Sequence, residues 1–201
     1  MSLLPLFPLD LVLFPGATLP LHIFEPRYKE MIGECLSSKA PFGVIRALEQ
    51  GIAEMGCTAE ISEVTKRYPD GRLDIVTHGR ERFEVLQLDH ERAFLRGGVL
   101  IVPDQPAEAT HQERQRAIQA HKEILSLAGT SPEVFSADQT MLSFRLAASL
   151  PLDLDFKQKL LSMLSERERI PALAGYLEKV LPGLRRAARA REKAGGNGHV
   201  R

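Results

Sequence analysis

The sequence predicts an α+β fold, in which a small, closed or nearly closed β-barrel with one early helix precedes a set of α-helices. Short apolar runs separated by turn residues fill about the first hundred positions, which is typical of strands. After the segment 103–106 (Pro-Asp-Gln-Pro), apolar residues instead recur every three to four positions, as in helices. Hydrophobic residues form 44% of the 201 positions and charged residues 26%, so the chain can bury a core without disulfides.

Prolines mark the first two strands and the first helix. Leu3–Leu9 and Thr18–Phe24 are apolar runs whose prolines favour strand edges or ends, and Phe14-Pro15-Gly16 between them has turn chemistry. Pro26 suits the first turn of a helix, because its missing N–H needs no partner there. One apolar stripe follows at helical spacing, made of Tyr28, Met31, Ile32, Cys35 and Leu36.

The remaining strands of the predicted barrel follow this helix. We expect them at Phe42–Ala47, Met55–Tyr68, Leu73–His78, Arg82–Leu88 and Phe94–Val102. Pro69-Asp70-Gly71 predicts a tight hairpin turn, since Asp-Gly supplies residues that accept a positive φ. Gly79 is expected to end a strand, and Gly97-Gly98 is expected to mark a bulge or a sharp bend.

Three helices with separate start signals are predicted after the barrel. Thr110 with Glu113 fits a capping box, and the helix that it starts is expected to end at Gly129. Asp138 and Asp155 are the candidate N-caps of the next two helices, since their carboxylates can accept backbone N–H groups.

The last predicted helix has two possible start points. A Ser165–Glu168 cap would leave Pro171 inside the helix, where proline costs about 3 kcal/mol in isolation. Alternatively, the helix begins at Ile170. Its apolar spacing predicts that three leucines are buried, namely Leu173, Leu177 and Leu181.

Charge is unevenly distributed along the chain, although the formal net charge is zero. Basic residues outnumber acidic ones in a run near the end, so the part of the chain before this run is slightly acidic. A slightly acidic body does not indicate a nucleic-acid surface. The run consists of Arg185, Arg186, Arg189, Arg191 and Lys193. It is either the solvated end of a helix, whose dipole it complements, or a basic patch for RNA.

The two cysteines and the apolar start indicate a cytoplasmic protein. Cys35 and Cys57 have no metal-type spacing and are too few for a disulfide framework, so a buried free thiol is expected at Cys35. The apolar start lacks a charged leader and is interrupted by prolines, which argues against a signal peptide or a membrane span.

Signatures of catalysis are missing from the sequence. It holds no Gly-x-x-x-x-Gly-Lys-Ser/Thr loop for a triphosphate, and no serine or lysine in a recognisable nucleophile turn. His90-Glu91 lacks the second histidine of a zinc-protease helix, with Phe94 in its place. His22 is interpreted as a strand-end residue, and Asp153 with Asp155 as capping residues. We therefore expect no catalytic residue, no cofactor and no metal.

A resemblance to a known family rests first on the opening of the chain. Its runs are Leu4-Pro5-Leu6-Phe7-Pro8-Leu9, Leu13-Phe14-Pro15-Gly16 and Pro20-Leu21-His22-Ile23-Phe24-Glu25-Pro26-Arg27-Tyr28. These runs resemble the start of the N-terminal domain of Lon, the ATP-dependent protease. Further similar stretches are Phe42–Ile45, Met55–Ile61 with Cys57 where threonine is more usual, Asp70–Arg72, Gly79–Phe83 and Lys157–Leu161.

The resemblance implies a PUA-like β-barrel at residues 1–103 and an α-helical bundle at residues 104–194. We expect residues 195–201 to be a disordered tail, because glycines dominate its start. The family also implies protein recognition, since this region helps Lon to select substrates and a related domain of cereblon serves protein–protein contacts. The resemblance does not extend to the ATPase and protease parts of Lon, whose serine–lysine pair belongs to the latter.

The leading hypothesis is a non-enzymatic module that binds exposed or unfolded polypeptide segments. It would act as an adaptor or regulator beside a protease or chaperone, in the bacterial cytoplasm and away from membranes. Candidate partner contacts are His22, Phe24, Glu25, Arg27, Tyr28 and Arg80. Two interpretations of Glu25 and Arg27 remain open, because they can organise the strand-to-helix junction or contact a partner. The alternative function is RNA binding through the basic run, although that run lacks interleaved aromatic residues.

Overall fold

The computed structural model describes residues 3–131 and 134–196, and within them it contains one six-stranded β-sheet and five α-helices. The strands are β1 (Leu4–Leu9), β2 (Thr18–Ile23), β3 (Phe42–Leu48), β4 (Gly51–Arg67), β5 (Leu73–Asp89) and β6 (Arg96–Ile101). The helices are α1 (Pro26–Ser38), α2 (His111–Leu127), α3 (Leu142–Ala148), α4 (Leu154–Ser162) and α5 (Glu166–Gly196). The predicted α+β class is confirmed.

The chain divides into two compact units that do not follow its order. We call Met1–Asp104 with Ala147–Met163 the sheet unit, and Gln105–Leu146 with Leu164–Arg201 the helical unit. The sheet unit includes α4 because this helix packs on β4, where the Gln158 side-chain amide donates to the Met55 carbonyl at 2.9 Å. The domain boundary expected after residue 103 stays a prediction.

Five of the six strands pair in a ring, and β2 lies outside it. The strand order is β2-β5-β4-β3-β1-β6, and β6 also pairs with β5. β1 and β3 are parallel, whereas the other neighbours are antiparallel. Among the described strands β2 pairs with β5 alone, so one edge of β2 carries no strand.

Alternating strand residues and one face of α1 build the core of the sheet unit. The predicted stripe of α1 is confirmed, since Tyr28, Met31, Ile32 and Cys35 are buried. These side chains pack with strand residues in one large cluster. A second, smaller cluster is built around Leu6, Ile45, Ala53 and Phe83.

The expectation that Gly79 ends a strand is wrong, because Gly79 lies inside β5. Its N–H donates to the Ala17 carbonyl and its own carbonyl accepts from the Gly16 N–H, both at 2.9 Å. A Cβ atom at position 79 would lie 2.2 Å from the Phe14 carbonyl oxygen. Glycine is therefore required because a turn approaches the strand closely, and not because the strand stops.

Arg82 of β5 is a buried cation that holds two distant parts of the sheet unit together. Its guanidinium donates to the carbonyls of Leu161 and Met163, at 2.9 Å and 2.7 Å, at the end of α4. It also donates to the Asp104 carboxylate at 2.6 Å and to the Pro103 carbonyl at 3.3 Å. The positive charge thus satisfies the last carbonyls of a helix, which is a favourable position for a cation.

The capping box predicted for α2 is confirmed. The Thr110 hydroxyl accepts from the Glu113 N–H at 3.3 Å, and the Glu113 carboxylate accepts from the Thr110 N–H at 2.8 Å. The helix ends at Leu127, and Gly129 follows with a φ of 73°, a conformation that glycine adopts without strain.

The other two candidate N-caps, Asp138 and Asp155, are wrong, whereas the capping role expected of Asp153 is confirmed. Asp138 lies four residues before α3, which starts at Leu142, and is therefore not its cap. α4 is capped by Asp153, whose carboxylate accepts a backbone N–H of the first turn at 3.0 Å. Asp155 lies inside that turn, where its carboxylate instead pairs with Arg46 at 2.6 Å.

α5 starts at Glu166, directly after Ser165, so of the two predicted start points the earlier one is correct and Pro171 lies inside the helix. The prediction of three buried leucines is confirmed for Leu173, Leu177 and Leu181. α5 ends at Gly196 and residues 197–201 lie outside the described residues, so the disordered tail expected at residues 195–201 stays a prediction. None of the described helices, α5 included, offers an apolar stretch long enough to cross a bilayer.

Both cysteine thiols are buried and free, and burial raises their pKa. The pKa of Cys35 rises to about 11 and that of Cys57 to about 12. Because the thiolate is the reactive form, we expect the folded protein at pH 8 to react with a disulfide reagent such as DTNB at least ~100-fold more slowly than free cysteine does. Both thiols should react rapidly in urea. Reaction of either thiol at the rate of free cysteine in the folded protein would contradict this packing.

Candidate functional site

β2 presents one apolar and one exposed side, because side chains alternate along a strand. Leu19, Leu21 and Ile23 pack into the core, whereas Thr18, Pro20 and His22 are exposed. Pro20 lacks an N–H, which is typical of a strand at the edge of a sheet. We call the exposed side of β2, β5 and β4 the outer face.

One cross-strand row of the outer face joins its three strands. The register pairs His22 of β2 with Asp74 of β5, and Asp74 with Lys66 of β4. His22 Nδ1 lies 2.5 Å from one carboxylate oxygen of Asp74, and the Tyr68 hydroxyl donates to the other oxygen at 2.9 Å. The hydrogen bond from His22, and then that from Tyr68, lower the pKa of Asp74 from its ordinary value. Asp74 is therefore an anion that orients both rings.

Phe24 begins a row of rings on this face. Its side chain lies just beyond β2, is 58% exposed and stacks on His22 with the ring centroids 5.9 Å apart. His22 in turn meets Tyr68 edge to face at 5.8 Å. Two cations cover Tyr68, since Lys66 Nζ lies 4.5 Å and the Arg72 guanidinium 4.8 Å from its centroid. This aromatic row (Phe24, His22 and Tyr68) thus runs from an exposed apolar ring to a cationic end.

The hairpin that carries the cationic end is formed as predicted. Gly71 has a φ of 82°, and its N–H donates to the Tyr68 carbonyl at 3.0 Å. The Asp70 carboxylate accepts from Arg72 Nε at 2.7 Å, which closes the turn from the side chains. The Lys29 ammonium donates to the Asp70 carbonyl at 2.9 Å, so α1 fixes the hairpin tip.

The segment from Glu25 to Tyr28 organises the strand-to-helix junction. Glu25 is the N-cap residue of α1, and its carboxylate accepts from Arg27 Nε at 2.9 Å. The Arg27 guanidinium lies 4.5 Å from the ring centroid of Tyr28. Tyr28 itself is buried against Phe7, with centroids 4.1 Å apart, and burial raises its pKa. These contacts support the structural interpretation, whereas a partner contact by Glu25, Arg27 or Tyr28 stays a prediction.

Arg80 lies farther along β5, six residues or about 20 Å from Asp74. Its guanidinium donates to the Glu60 carboxylate at 2.6 Å. A shallow depression of about 400 Å³ opens there, lined by Lys39, Pro41, Thr58, Glu60, Arg80 and Glu81. The structure therefore does not bring Arg80 to His22 and Phe24, and a partner contact at Arg80 stays a prediction.

The basic run considered for RNA lies exposed on the last turns of α5. Arg185 forks onto the Glu123 carboxylate of α2 at 2.6 Å and 2.9 Å, and this pairing lowers the pKa of Glu123. The other members are Arg186, Arg189, Arg191 and Lys193. Of the five charged groups in this run, the Arg185 guanidinium thus already forms an ion pair within the chain.

Four residues of the outer face were not predicted from the sequence, namely Lys66, Tyr68, Arg72 and Asp74. The Asp-Gly turn is a signal that these residues face one another across a hairpin. No local signal shows that β2 pairs with β5, which brings His22 and Phe24 to them.

The outer face offers a ring for stacking, an imidazole, and ammonium and guanidinium donors. Within residues 3–131 and 134–196, no three His, Cys, Asp or Glu side chains are grouped in a way that could hold a metal ion.

Comparisons with curated proteins point to one family. The model of the ATP-dependent protease La (Lon) substrate-binding domain matches residues 3–179. The Lon protease of Parabacteroides distasonis is 28% identical over 129 residues, which are 60% of this chain and 16% of that protein. The Lon protease of Roseiflexus castenholzii is 27% identical over 195 residues, or 89% of this chain and 24% of that protein. The chain therefore spans about a quarter or less of these relatives.

Two solved structures are similar along most of the chain. The Lon N-terminal domain protein from Xanthomonas campestris matches with a TM-score of 0.72 and 28% identity, covering 88% of this chain and 99% of that one. The N-terminal domain of Mycobacterium avium complex Lon protease matches in fold, with a TM-score of 0.65 at 20% identity, over 88% of this chain and 98% of that one. Since the family model spans residues 3–179 and the fold agrees, the chain belongs to the family of the Lon substrate-binding domain.

Proposed function

We propose that this chain is a polypeptide-binding module that recognises exposed or unfolded segments of other proteins. Its membership of a substrate-binding family supports this proposal. The observation that carries it is the aromatic row beside the free edge of β2, where Phe24 is exposed. Recognition of an extended chain needs backbone groups for pairing and an apolar contact for affinity, and this region offers both.

A client segment would extend the sheet along β2. The Thr77 hydroxyl donates to the Leu19 carbonyl at 2.9 Å, so the Leu19 carbonyl faces β5. Because backbone groups alternate in an antiparallel strand, those of Thr18, Pro20 and His22 face outward. Pro20 contributes a carbonyl but no N–H, so pairing is partial and the edge is protected against aggregation. Affinity should be roughly micromolar, since ordering a flexible client offsets much of the gain.

The finer architecture belongs to the same proposal. The ring of strands would be a PUA-like barrel within residues 1–103, and the helices of residues 104–194 would form a C-terminal bundle. The β5–β6 pairing supports the barrel, and the buried leucines of α5 support the bundle. One helix departs from this division, because α4 lies in the second region of the sequence but packs on β4 of the first.

We further propose a non-enzymatic role as an adaptor or regulator of protein quality control, beside a protease or chaperone in the bacterial cytoplasm. Two facts support this role: the curated relatives are Lon proteases, and this chain matches the family model of their substrate-binding domain. A micromolar binder suits it, because a client that is held weakly can be passed on.

Replacing Phe24 with alanine is expected to weaken binding of reduced casein, used as an unfolded client, by about tenfold. Truncating an aromatic anchor at the centre of a contact commonly costs more than 1 kcal/mol. Folding should be unaffected, because the ring is 58% exposed. Fluorescence anisotropy of labelled casein, titrated with each protein, measures the change.

Leu86→Ala is the matched control for this experiment. Leu86 is also 58% exposed and lies on β5, twelve residues from Asp74. Its truncation should leave casein binding unchanged within about twofold, since it removes apolar surface outside the site. Equal losses in the two variants, or no loss in Phe24→Ala, would remove the aromatic row as the site.

The RNA alternative is tested by ending the chain after Leu184. This variant loses the basic run and keeps Leu173, Leu177 and Leu181. Under the polypeptide-binding proposal it still binds casein with little dependence on salt, because apolar burial is poorly screened. If RNA binding falls steeply with salt and is lost on truncation, and neither protein binds casein, then RNA binding is the better supported function.

A further inference from the structure

We infer that the free edge of β2 selects client segments that carry aliphatic residues at every second position and no proline at the positions between them. This inference rests on the proposed polypeptide binding and names the class of client that the same site takes. Its basis is the chemistry of the edge, which offers more backbone carbonyls than N–H groups and lies beside two partly buried leucines.

The direction of the backbone groups along β2 is fixed at the start of the strand. The Gly79 N–H of β5 donates to the Ala17 carbonyl at 2.9 Å, so this carbonyl faces β5. Because backbone groups alternate along a strand, the carbonyls of Thr18, Pro20 and His22 face away from β5, and so do the N–H groups of Thr18 and His22. Within residues 3–131 and 134–196, no backbone hydrogen bond outside the pairing with β5 uses any of these groups. They are therefore available to a further strand.

Pro20 gives this edge more acceptors than donors. A client paired in the antiparallel direction, which is the more stable one, places three alternate residues opposite Thr18, Pro20 and His22. The N–H of each of the three then donates to a β2 carbonyl, whereas only two of their carbonyls find a donor, since Pro20 has no N–H. A client proline is excluded at these three positions, because it has no N–H to donate. It is tolerated at the positions between them, whose N–H groups face away from β2.

The side chains of the client follow the two sides of β2. Those of the residues opposite Thr18, Pro20 and His22 lie on the outer face, where the neighbouring side chains are exposed and polar residues fit. Those of the residues between them lie on the other side, next to Leu19 and Leu21, which are partly buried and pack on the core of the sheet unit. Aliphatic side chains at these positions extend the apolar contact of the two leucines. The client is thus apolar on one side and free to be polar on the other.

Two labelled ten-residue peptides of identical composition test the alternation on the full chain. In the alternating peptide, valines occupy every second position, and serines with one Phe occupy the others. In the block peptide, the valines are consecutive. We expect the alternating peptide to bind about fivefold more tightly, because it places its valines on the side of Leu19 and Leu21 without exposing any on the outer face. Equal affinities of the two peptides would overturn the inference.

Single N-methylation along the alternating peptide tests the backbone pairing. Methylation at the central serines removes an N–H that donates to a β2 carbonyl, and binding should weaken by about tenfold. Methylation at the central valines should change the affinity by less than about twofold, because these N–H groups face away from β2. Loss of binding on methylation at the valines, at every position or at none would contradict the pairing.

Pro20→Val supplies the missing N–H and should tighten binding of the alternating peptide by about threefold or more. Pro106→Val is the matched control, because it makes the same change at an exposed position of the helical unit. It should leave the affinity unchanged within about twofold. If the Pro20→Val protein binds the peptide no more tightly than the Pro106→Val protein does, the edge of β2 is not where the client pairs.

The remaining outcomes separate this inference from the function on which it rests. Casein binding that depends on Phe24, without any effect of alternation or N-methylation on peptide binding, would overturn the inference and leave the proposed function standing. A second copy of this chain is the competing occupant of the edge, and sedimentation of the chain alone detects it. A dimer that the alternating peptide does not dissociate would assign the edge to self-association and overturn the inference. If the chain binds neither peptide and no casein, both the inference and the proposed function fail.

Discussion

Replacing Arg82 with methionine is expected to lower the free energy of unfolding by about 3–5 kcal/mol. Arg82 is only 3% exposed, and its guanidinium binds the Asp104 carboxylate and the carbonyls of Leu161 and Met163. Methionine fills similar space but donates no hydrogen bond, so these acceptors are left without their donor inside the protein. Urea unfolding followed by circular dichroism measures the loss.

Arg80→Met is the matched control, because Arg80 lies two residues away on the same strand. Its guanidinium pairs with Glu60 at the surface, where both side chains are more than half exposed. Exposed ion pairs contribute about 0–1 kcal/mol, so this variant should unfold close to the unaltered chain. An Arg82→Met protein as stable as the Arg80→Met protein would show that the buried network contributes little.

Leu177→Asp should destabilise the protein by several kcal/mol, to the point of insolubility if the native state is only marginally stable. The Leu177 side chain is 0% exposed in α5, and α5 packs on α2 within the helical unit. Aspartate would bring an unpaired carboxylate into this apolar contact, which is among the most costly single changes known. The soluble fraction and the urea midpoint report the effect.

Val180→Asp is the control for that experiment, since it makes the same chemical change three residues along the helix. Val180 is 39% exposed, so its carboxylate would stay hydrated and cost below about 1 kcal/mol. If Leu177→Asp were as soluble and as stable as Val180→Asp, the packing of α5 described above would be wrong.

Features encoded by neighbouring residues could be predicted from the sequence. The Asp70-Gly71 hairpin and the Thr110–Glu113 capping box each depend on a few consecutive residues, and the structure confirms both. Gly79 could not be interpreted correctly, because its role depends on the Phe14 carbonyl, which is 65 positions earlier. The return of α4 to β4 was missed for the same reason, since no local pattern reports a contact between distant segments.

The candidate site likewise contains some residues that could be predicted from the sequence and others that could not. His22 and Phe24 could be named from the opening motif, but their partners Asp74 and Tyr68 could not. The pairing of β2 with β5 joins residues about fifty positions apart, and only the folded sheet reveals it. Arg80 was named from a family stretch, yet the strand carries it about 20 Å from His22.

The contacts of Arg82 impose an order on events during synthesis. All six strands have left the ribosome once residue 101 has emerged, but the carbonyls of Leu161 and Met163 follow about sixty residues later. At a translation rate of about 5–20 residues per second, this delay is roughly 3–12 s. Until then the Arg82 guanidinium can pair with the Asp104 carboxylate and the Pro103 carbonyl, but it lacks the two carbonyls at the end of α4. The set of hydrogen bonds around the buried Arg82 is therefore completed only by a helix that is made after much of the second unit.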